Sequence, residues 1–283
     1  MGAVVTNLFA RPNSNYVVGE DILDAILADD ANPLGNIAAI INQGSSVLDI
    51  GAGNGLLGRV LARAGKDVAI DAIEPNPFAA SLIPTCYRQV YQGYLQEFHD
   101  QIRARNYDYI VMADVIEHFA DPQPVLQELL KCLKPDVKLL ISLPNVAFGG
   151  VRLSLMRGNF VYTDSGILER THLRFYTLEL ARQLFAKLDL SEHAIYFLQR
   201  RFTHTEFNSD VRSAGFINRV RLAFDPTARA YQYLFIVGYG RLPKSSVVKR
   251  GEGCYGAVVD ATLFGRAIDR LFRKLLTIRS RFK

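Results

Sequence analysis

The stretch VLDIGAGNGLLGRVLARAG, residues 47–65, decides how this chain reads. A β-branched apolar run ends at Asp49, glycines follow at 51, 53 and 55, and Leu56, Leu57, Val60 and Leu61 then recur at helical spacing. Strand, tight turn and helix in that order aim free backbone N–H groups at the carboxyl end of the strand. Glycine there lets a ligand reach the main chain with no Cβ in the way. Asp49, Gly51, Ala52, Gly53, Asn54 and Gly55 are therefore the expected wall of a ligand site. The spacing is G-x-G-x-G, whereas the dinucleotide fingerprint G-x-G-x-x-G needs glycine at position 56, where Leu56 stands. Glu74 lies 25 residues beyond Asp49, at the end of the next apolar run, where a carboxylate accepts hydrogen bonds from both hydroxyls of a ribose.

Outward from this segment, apolar runs alternate with amphipathic stretches from residue 45 to about 190, the pattern of βα units around a parallel sheet. Strands are expected at 46–50, 67–73, 88–92, 107–113 and 137–143, with helices at 55–64, 76–83 and 122–134 between them. A helix at 178–187 and late strands at 193–202 and 230–239 complete the sheet; helices at 21–28 and 36–43 precede it. The fold expected is α/β, doubly wound and Rossmann-like, with seven strands, mostly parallel and ending in a late antiparallel strand.

The 283 residues suffice to bury a core around a cofactor, and 49% hydrophobic with 22% charged residues is a globular balance. Cys86, Cys132 and Cys254 form no CxxC pair, which supports neither a disulfide framework nor a zinc site. No signal-like leader and no apolar run of membrane-spanning length is read, so a cytoplasmic protein is expected. Gly2 and Thr6 do satisfy the short myristoylation pattern. The net charge of +5 is unevenly distributed: residues 241–283 hold 11 Lys or Arg against 3 acids, and residues 1–240 hold 22 against 25. A slightly acidic body has no electrostatic reason to bind nucleic acid.

At the glycine loop and Glu74 the chain resembles the class I S-adenosylmethionine-dependent methyltransferases, whose first motif is an acidic residue followed by G-x-G-x-G. YDYIVMADVIEHFADPQPVLQELLKCLKPDVKLLISLPNV, residues 107–146, is similar to the later half of that domain, with Asp114, Glu117 and His118 in its D-V-[IL]-E-H sequence. DSGILERTHLRFYT, residues 164–177, resembles a bacterial subgroup associated with sugar and polysaccharide modification. The resemblance implies S-adenosylmethionine as cofactor, held by the glycine loop, Glu74, Gly93, Tyr94, Ala113 and Asp114. Two positions depart from the pattern. Tyr94 stands where an acid usually contacts adenine, so that contact falls to a backbone group or to the ring. Pro135, Asp136 and Val137 replace the usual P-G-G turn.

Methyl transfer from a sulfonium is an in-line displacement, so alignment supplies most of the acceleration and a base adds to it when the acceptor is a hydroxyl. His118, just past the fourth strand, and His172, in a loop-like stretch after the fifth, are the candidate acid–base or acceptor-binding residues. His118 otherwise pins its loop, and Glu117 otherwise is an exposed helix-entry acid. Asn145, Asp164, Thr171 and Arg174 are candidate acceptor contacts; Asn145 is alternatively an ordinary turn residue. The chain lacks the N-P-P-Y sequence of amino-group methylases and the Pro-Cys nucleophile of cytosine methylases, which favours an oxygen acceptor. No HxxxH or Cys/His spacing suits a metal, Asp164 with His172 being a bare possibility, and none is expected.

Residues 1–240 are thus expected to form a methyltransferase domain acting on a hydroxyl of a small molecule or glycan. A nicotinamide-dependent sugar epimerase or dehydrogenase is the alternative enzyme, disfavoured by the glycine spacing and by the lack of a Y-x-x-x-K helix. A cofactor-binding partner protein without catalysis is the non-enzymatic alternative. Residues 241–257 read as a linker and 258–283 as an amphipathic helix, with Phe264, Leu271 and Leu275 on one face and Arg266, Arg270, Arg273 and Lys274 on the other. That helix either packs on its own domain or attaches peripherally to an anionic membrane at the inner membrane face. Oligomeric state is not readable.

Overall fold

The computed structural model describes residues 20–240, apart from 208–213, 216, 217, 219, 221, 223 and 224, together with a short strand at 248–250. The myristoylation pattern and the basic helix at 258–283 lie outside the described residues.

Helices α1 (Glu20–Ala28) and α2 (Pro33–Ile40) precede β1 (Ser46–Ile50). Then follow α3 (Leu56–Arg63), β2 (Ala69–Glu74), α4 (Pro77–Ser81), β3 (Tyr87–Gln92), α5 (His99–Arg103), β4 (Tyr109–Ala113), α6 (Pro122–Leu130) and β5 (Lys138–Pro144). Helices α7 (Gly149–Met156) and α8 (Leu178–Lys187), β6 (Ser191–Gln199) and β7 (Ala230–Gly238) close the domain. Strand order is β3-β2-β1-β4-β5-β7-β6, and β7 runs antiparallel between β5 and β6. The sheet is therefore the expected one, with an addition. Strand β8 (Val248–Arg250), inside the segment read as linker, pairs parallel with β6. Without it the edge of β6 would carry a row of unpaired N–H and C=O groups that any extended segment can join.

The sheet is buried on both faces because its strands alternate apolar residues to each side. Leu48, Ile110, Ile141 and Phe235 enter one core; Val47, Ile70, Val111, Leu140 and Leu234 enter the other. Chain order reverses between β1 and β4, so the loops leaving their carboxyl ends diverge and open a crevice. A third cluster, around Phe148, Ile167, Phe202 and Phe207, supports the segment that covers β5. Helix α4 starts where Asn76 accepts the N–H groups of Phe78 and Ala79 through its side chain, with Pro77 at the first helical position.

Candidate active site

The glycine loop turns as the sequence requires. Gly51, Gly53 and Gly55 have φ of 71°, 56° and 75°, the left-handed region that disfavours any Cβ. Gly51 is also tightly enclosed, since a Cβ there would lie 2.7 Å from Val115 Cγ2 in the loop after β4. The loop is tied to the next strand as well: Gly53 N–H donates to Glu74 Oε2 at 2.7 Å, and Asn76 N–H donates to Oε1 at 2.8 Å. Burial raises the Glu74 carboxyl above its ordinary range, while these two N–H groups favour the charged form. A carboxylate has roughly four acceptor directions, so two remain for a ligand diol. Gly93 N–H donates to the Glu74 carbonyl at 3.1 Å, which sets the half-exposed Tyr94 ring beside this strand end. The residues present therefore fit a ribose-bearing cofactor.

Asp49 faces inward instead of toward a ligand. The Tyr87 hydroxyl donates to Asp49 Oδ2 at 2.7 Å and accepts Gly58 N–H at 3.0 Å, joining β1, β3 and the first turn of α3. Burial pushes the Asp49 carboxyl up to about 7, with nearby Glu74 adding to the rise and Tyr87 opposing it. Tyr87 carries no local sequence signal, because its partner stands 38 residues away.

On the other side of the crevice, Ala113 ends β4 and Asp114 takes a φ of 57°, strained for a residue with a Cβ. Ser142 Oγ holds this geometry, accepting Asp114 N–H at 3.0 Å and donating to Asp114 Oδ1 at 2.7 Å, while the Gln232 amide donates to the same oxygen. The turn Ile116–His118 follows. Residues 163–176 are strapped across it: Leu173 and Arg174 N–H donate to the Glu117 carbonyl at 2.9 and 3.0 Å, and Arg174 Nε donates to the Ala120 carbonyl at 2.7 Å.

The strap brings His172 to His118, their rings edge to face at a centroid distance of 4.9 Å. His172 Nδ1 lies 3.0 Å from the Ile167 carbonyl and His118 Nδ1 lies 3.1 Å from the Thr171 carbonyl. A carbonyl only accepts, so both rings carry a proton on Nδ1, which in a neutral ring puts the lone pair on Nε2. Burial lowers the His172 pKa, which favours the neutral ring. Glu117 is 1% exposed, not the exposed helix-entry acid, and burial holds its carboxyl well above the usual range. Its Oε1 stands 3.9 Å from His172 Nε2, and Glu169 Oε2 stands 4.0 Å from the same nitrogen. Glu169, like Tyr87, had no local signal.

The expected acceptor contacts fare differently. Asn145 is wholly buried, its amide donating to the Thr227 and Ala230 carbonyls at 2.8 and 2.7 Å and its oxygen accepting Ala147 N–H at 2.9 Å. It pins the chain after β5 and leaves nothing for a sugar hydroxyl. Asp164 pairs with Arg170 at 2.8 Å on the surface, Thr171 Oγ1 donates to Glu169 at 2.6 Å, and Arg174 serves the strap. Thr171 enters the site through its carbonyl, on His118.

An open α/β sheet with a glycine loop and a buried acid flanking its crevice defines a protein that binds a nucleoside-type ligand. More particularly, residues 24–194 match the family model described as "Methyltransferase domain", and the chain belongs to that family. Among similar proteins, a "Ubiquinone biosynthesis O-methyltransferase" of Pectobacterium carotovorum is 32% identical over 105 residues, 36% of this chain and 44% of that protein. One of the same name from Caulobacter vibrioides is 32% identical over 123 residues, 42% of this chain and 48% of that protein. The chain thus spans less than half the length of these curated relatives. A SAM-dependent methyltransferase from Archaeoglobus fulgidus superposes with a TM-score of 0.51 at 16% identity, covering 76% of this chain and 94% of that one. The plantazolicin methyltransferase BpumL, in complex with a monoazolic desmethylPZN analog and SAH, gives 0.50 at 17% identity, covering 81% and 88%. Both share the fold.

Proposed function

We propose that this protein transfers a methyl group from S-adenosylmethionine to a hydroxyl of a small molecule or glycan. One observation carries the reading: Glu74 is buried at the end of β2 with each oxygen already on a backbone N–H, one of them from the glycine loop. That arrangement fixes a charged acceptor for a ribose diol against a main chain stripped of Cβ atoms. S-adenosylmethionine, when bound, supplies an electrophilic methyl group on a sulfonium. The chain's own part is to hold the acceptor in line and exclude water, where orientation in well-aligned systems contributes effective molarities of about 10⁵–10⁸ M. His118 and His172 sit together in the loop after β4 and the strap bound to it, across the switch point from Glu74 at the end of β2, and a neutral imidazole there can accept an O–H group. The names of the partly aligned relatives favour a small-molecule hydroxyl.

Calorimetry with S-adenosylhomocysteine and with NADH tests the cofactor reading. Binding of the first and not of the second is expected; the reverse would make the alternative dehydrogenase reading correct. Replacing His172 or His118 by Ala is expected to lower turnover far more than S-adenosylhomocysteine affinity.

A further inference from the structure

We infer that Glu117, His118 and His172 form a binding site for a first-row divalent cation of the Zn²⁺ or Co²⁺ kind, beside the acceptor. This deepens the function proposed above, since such a cation would hold the acceptor's hydroxyl oxygen. It also replaces the expectation of no metal, which rested on local spacing: His172 is 54 residues from His118, and only the strap unites them.

Three observations converge. One ligand atom from each residue lies within 4.8 Å of the other two. Both Glu117 carboxylate oxygens are buried and without a hydrogen-bond partner. A buried carboxylate so placed is costly unless a cation or donors face it. A proton on it would still find no acceptor in His172 Nε2 at 3.9 Å, beyond hydrogen-bond reach. Lastly, both imidazoles donate from Nδ1 to backbone carbonyls, an outer contact that fixes the tautomer and orients Nε2 for ligation.

Ligand atoms about 2.1 Å from one cation stand roughly 3.0–3.4 Å apart, so separations of up to 4.8 Å would close by at most roughly 1.4–1.8 Å, shared between two side chains. Two imidazole nitrogens and one carboxylate oxygen suit a borderline cation, whereas Mg²⁺ and Ca²⁺ prefer all-oxygen sets. Three protein ligands leave open positions for a water or an acceptor oxygen. The nearby acids Asp114 and Glu169 add negative potential that a cation would relieve.

The test uses the full-length protein, stripped with chelator and free of cofactor and acceptor. Co²⁺ is titrated by its visible absorption and Zn²⁺ by competition with a chromophoric chelator. A single equivalent with nitrogen-ligand bands is expected, and Glu117→Gln, His118→Ala and His172→Ala should each weaken binding by at least about tenfold. S-adenosylhomocysteine affinity, measured on the same samples, reports that each variant is folded. Absence of a stoichiometric site in the wild-type protein, preference for Mg²⁺ over Zn²⁺, or unchanged affinity in a folded variant overturns the inference. Loss of S-adenosylhomocysteine binding in the wild type would instead count against the methyl-donor reading and leave the metal result standing.

Discussion

Glu74→Gln separates the cofactor account from a merely structural role for this acid. The carboxylate accepts Gly53 N–H at 2.7 Å and Asn76 N–H at 2.8 Å. Glutamine keeps one carbonyl oxygen, so one of these N–H groups would face an amide NH₂ and lose a charge-assisted bond of about 1.5–3 kcal/mol. Stability should fall by less than that, on the order of 1 kcal/mol. Burial already disfavours the charge, as the raised carboxyl pKa indicates, and the neutral amide avoids that cost. Ligand affinity has no such offset. Losing the charged acceptor for a ribose diol costs about 1.5–3 kcal/mol, which weakens S-adenosylhomocysteine binding roughly 10- to 150-fold. Calorimetry measures the affinity and urea unfolding the stability. A folded Glu74→Gln protein with wild-type affinity would refute the assignment, because Glu74 would then only brace the glycine loop.

Asp49 makes stability depend on pH. Its carboxyl is raised from 3.8 to about 7, so the folded state keeps a proton that the unfolded state has lost between those values. Stability therefore falls as pH rises from about 4 to 7, by up to roughly 4 kcal/mol. Asp49→Asn, still able to accept from Tyr87, should flatten this dependence and be more stable than wild type above pH 7; identical melting profiles from pH 4 to 8 would contradict it. Asn145→Ala should lose about 2–4 kcal/mol in urea unfolding, because the buried Ala230 carbonyl, the part-buried Thr227 carbonyl and the Ala147 N–H lose their partner, with S-adenosylhomocysteine affinity unchanged. An unaffected unfolding midpoint would mean that the segment after β5 is held by other contacts.

What was legible in the sequence is what local periodicity encodes. Ser46–Ile50 and Leu178–Lys187 emerge with the bounds expected of them, because each is an apolar pattern closed by turn or capping residues. The Gly149–Met156 helix was not foreseen, since GGVRLSLM begins with two poor helix formers. Their reason is tertiary: a Cβ on Gly149 would approach Phe202 to 2.9 Å, and one on Gly150 would approach Phe207 to 2.5 Å. The ligand loop and Glu74 were readable because a strand end, a turn and a following strand end carry their own signals. The opposite wall was only half readable. His118 and His172 stood out as residue types, but the strap that joins them to Glu117 consists of backbone hydrogen bonds, which leave no trace in residue identity. Asn145 and Arg174 looked available as residue types and instead hold the chain, because the carbonyls they bond lie 82, 85 and 54 residues away.

Methyl transfer to oxygen is tested by following an isotopically labelled methyl group. The full-length protein is incubated with methyl-deuterated S-adenosylmethionine and a metabolite extract, with a parallel sample lacking protein, and the products are resolved by mass spectrometry. A protein-dependent product is expected whose fragments carry the labelled methyl on a former hydroxyl, lost or strongly reduced with His172→Ala. Label appearing on nitrogen or carbon would contradict the oxygen assignment. Cofactor binding with no labelled product from any extract would make this a binding protein and not an enzyme.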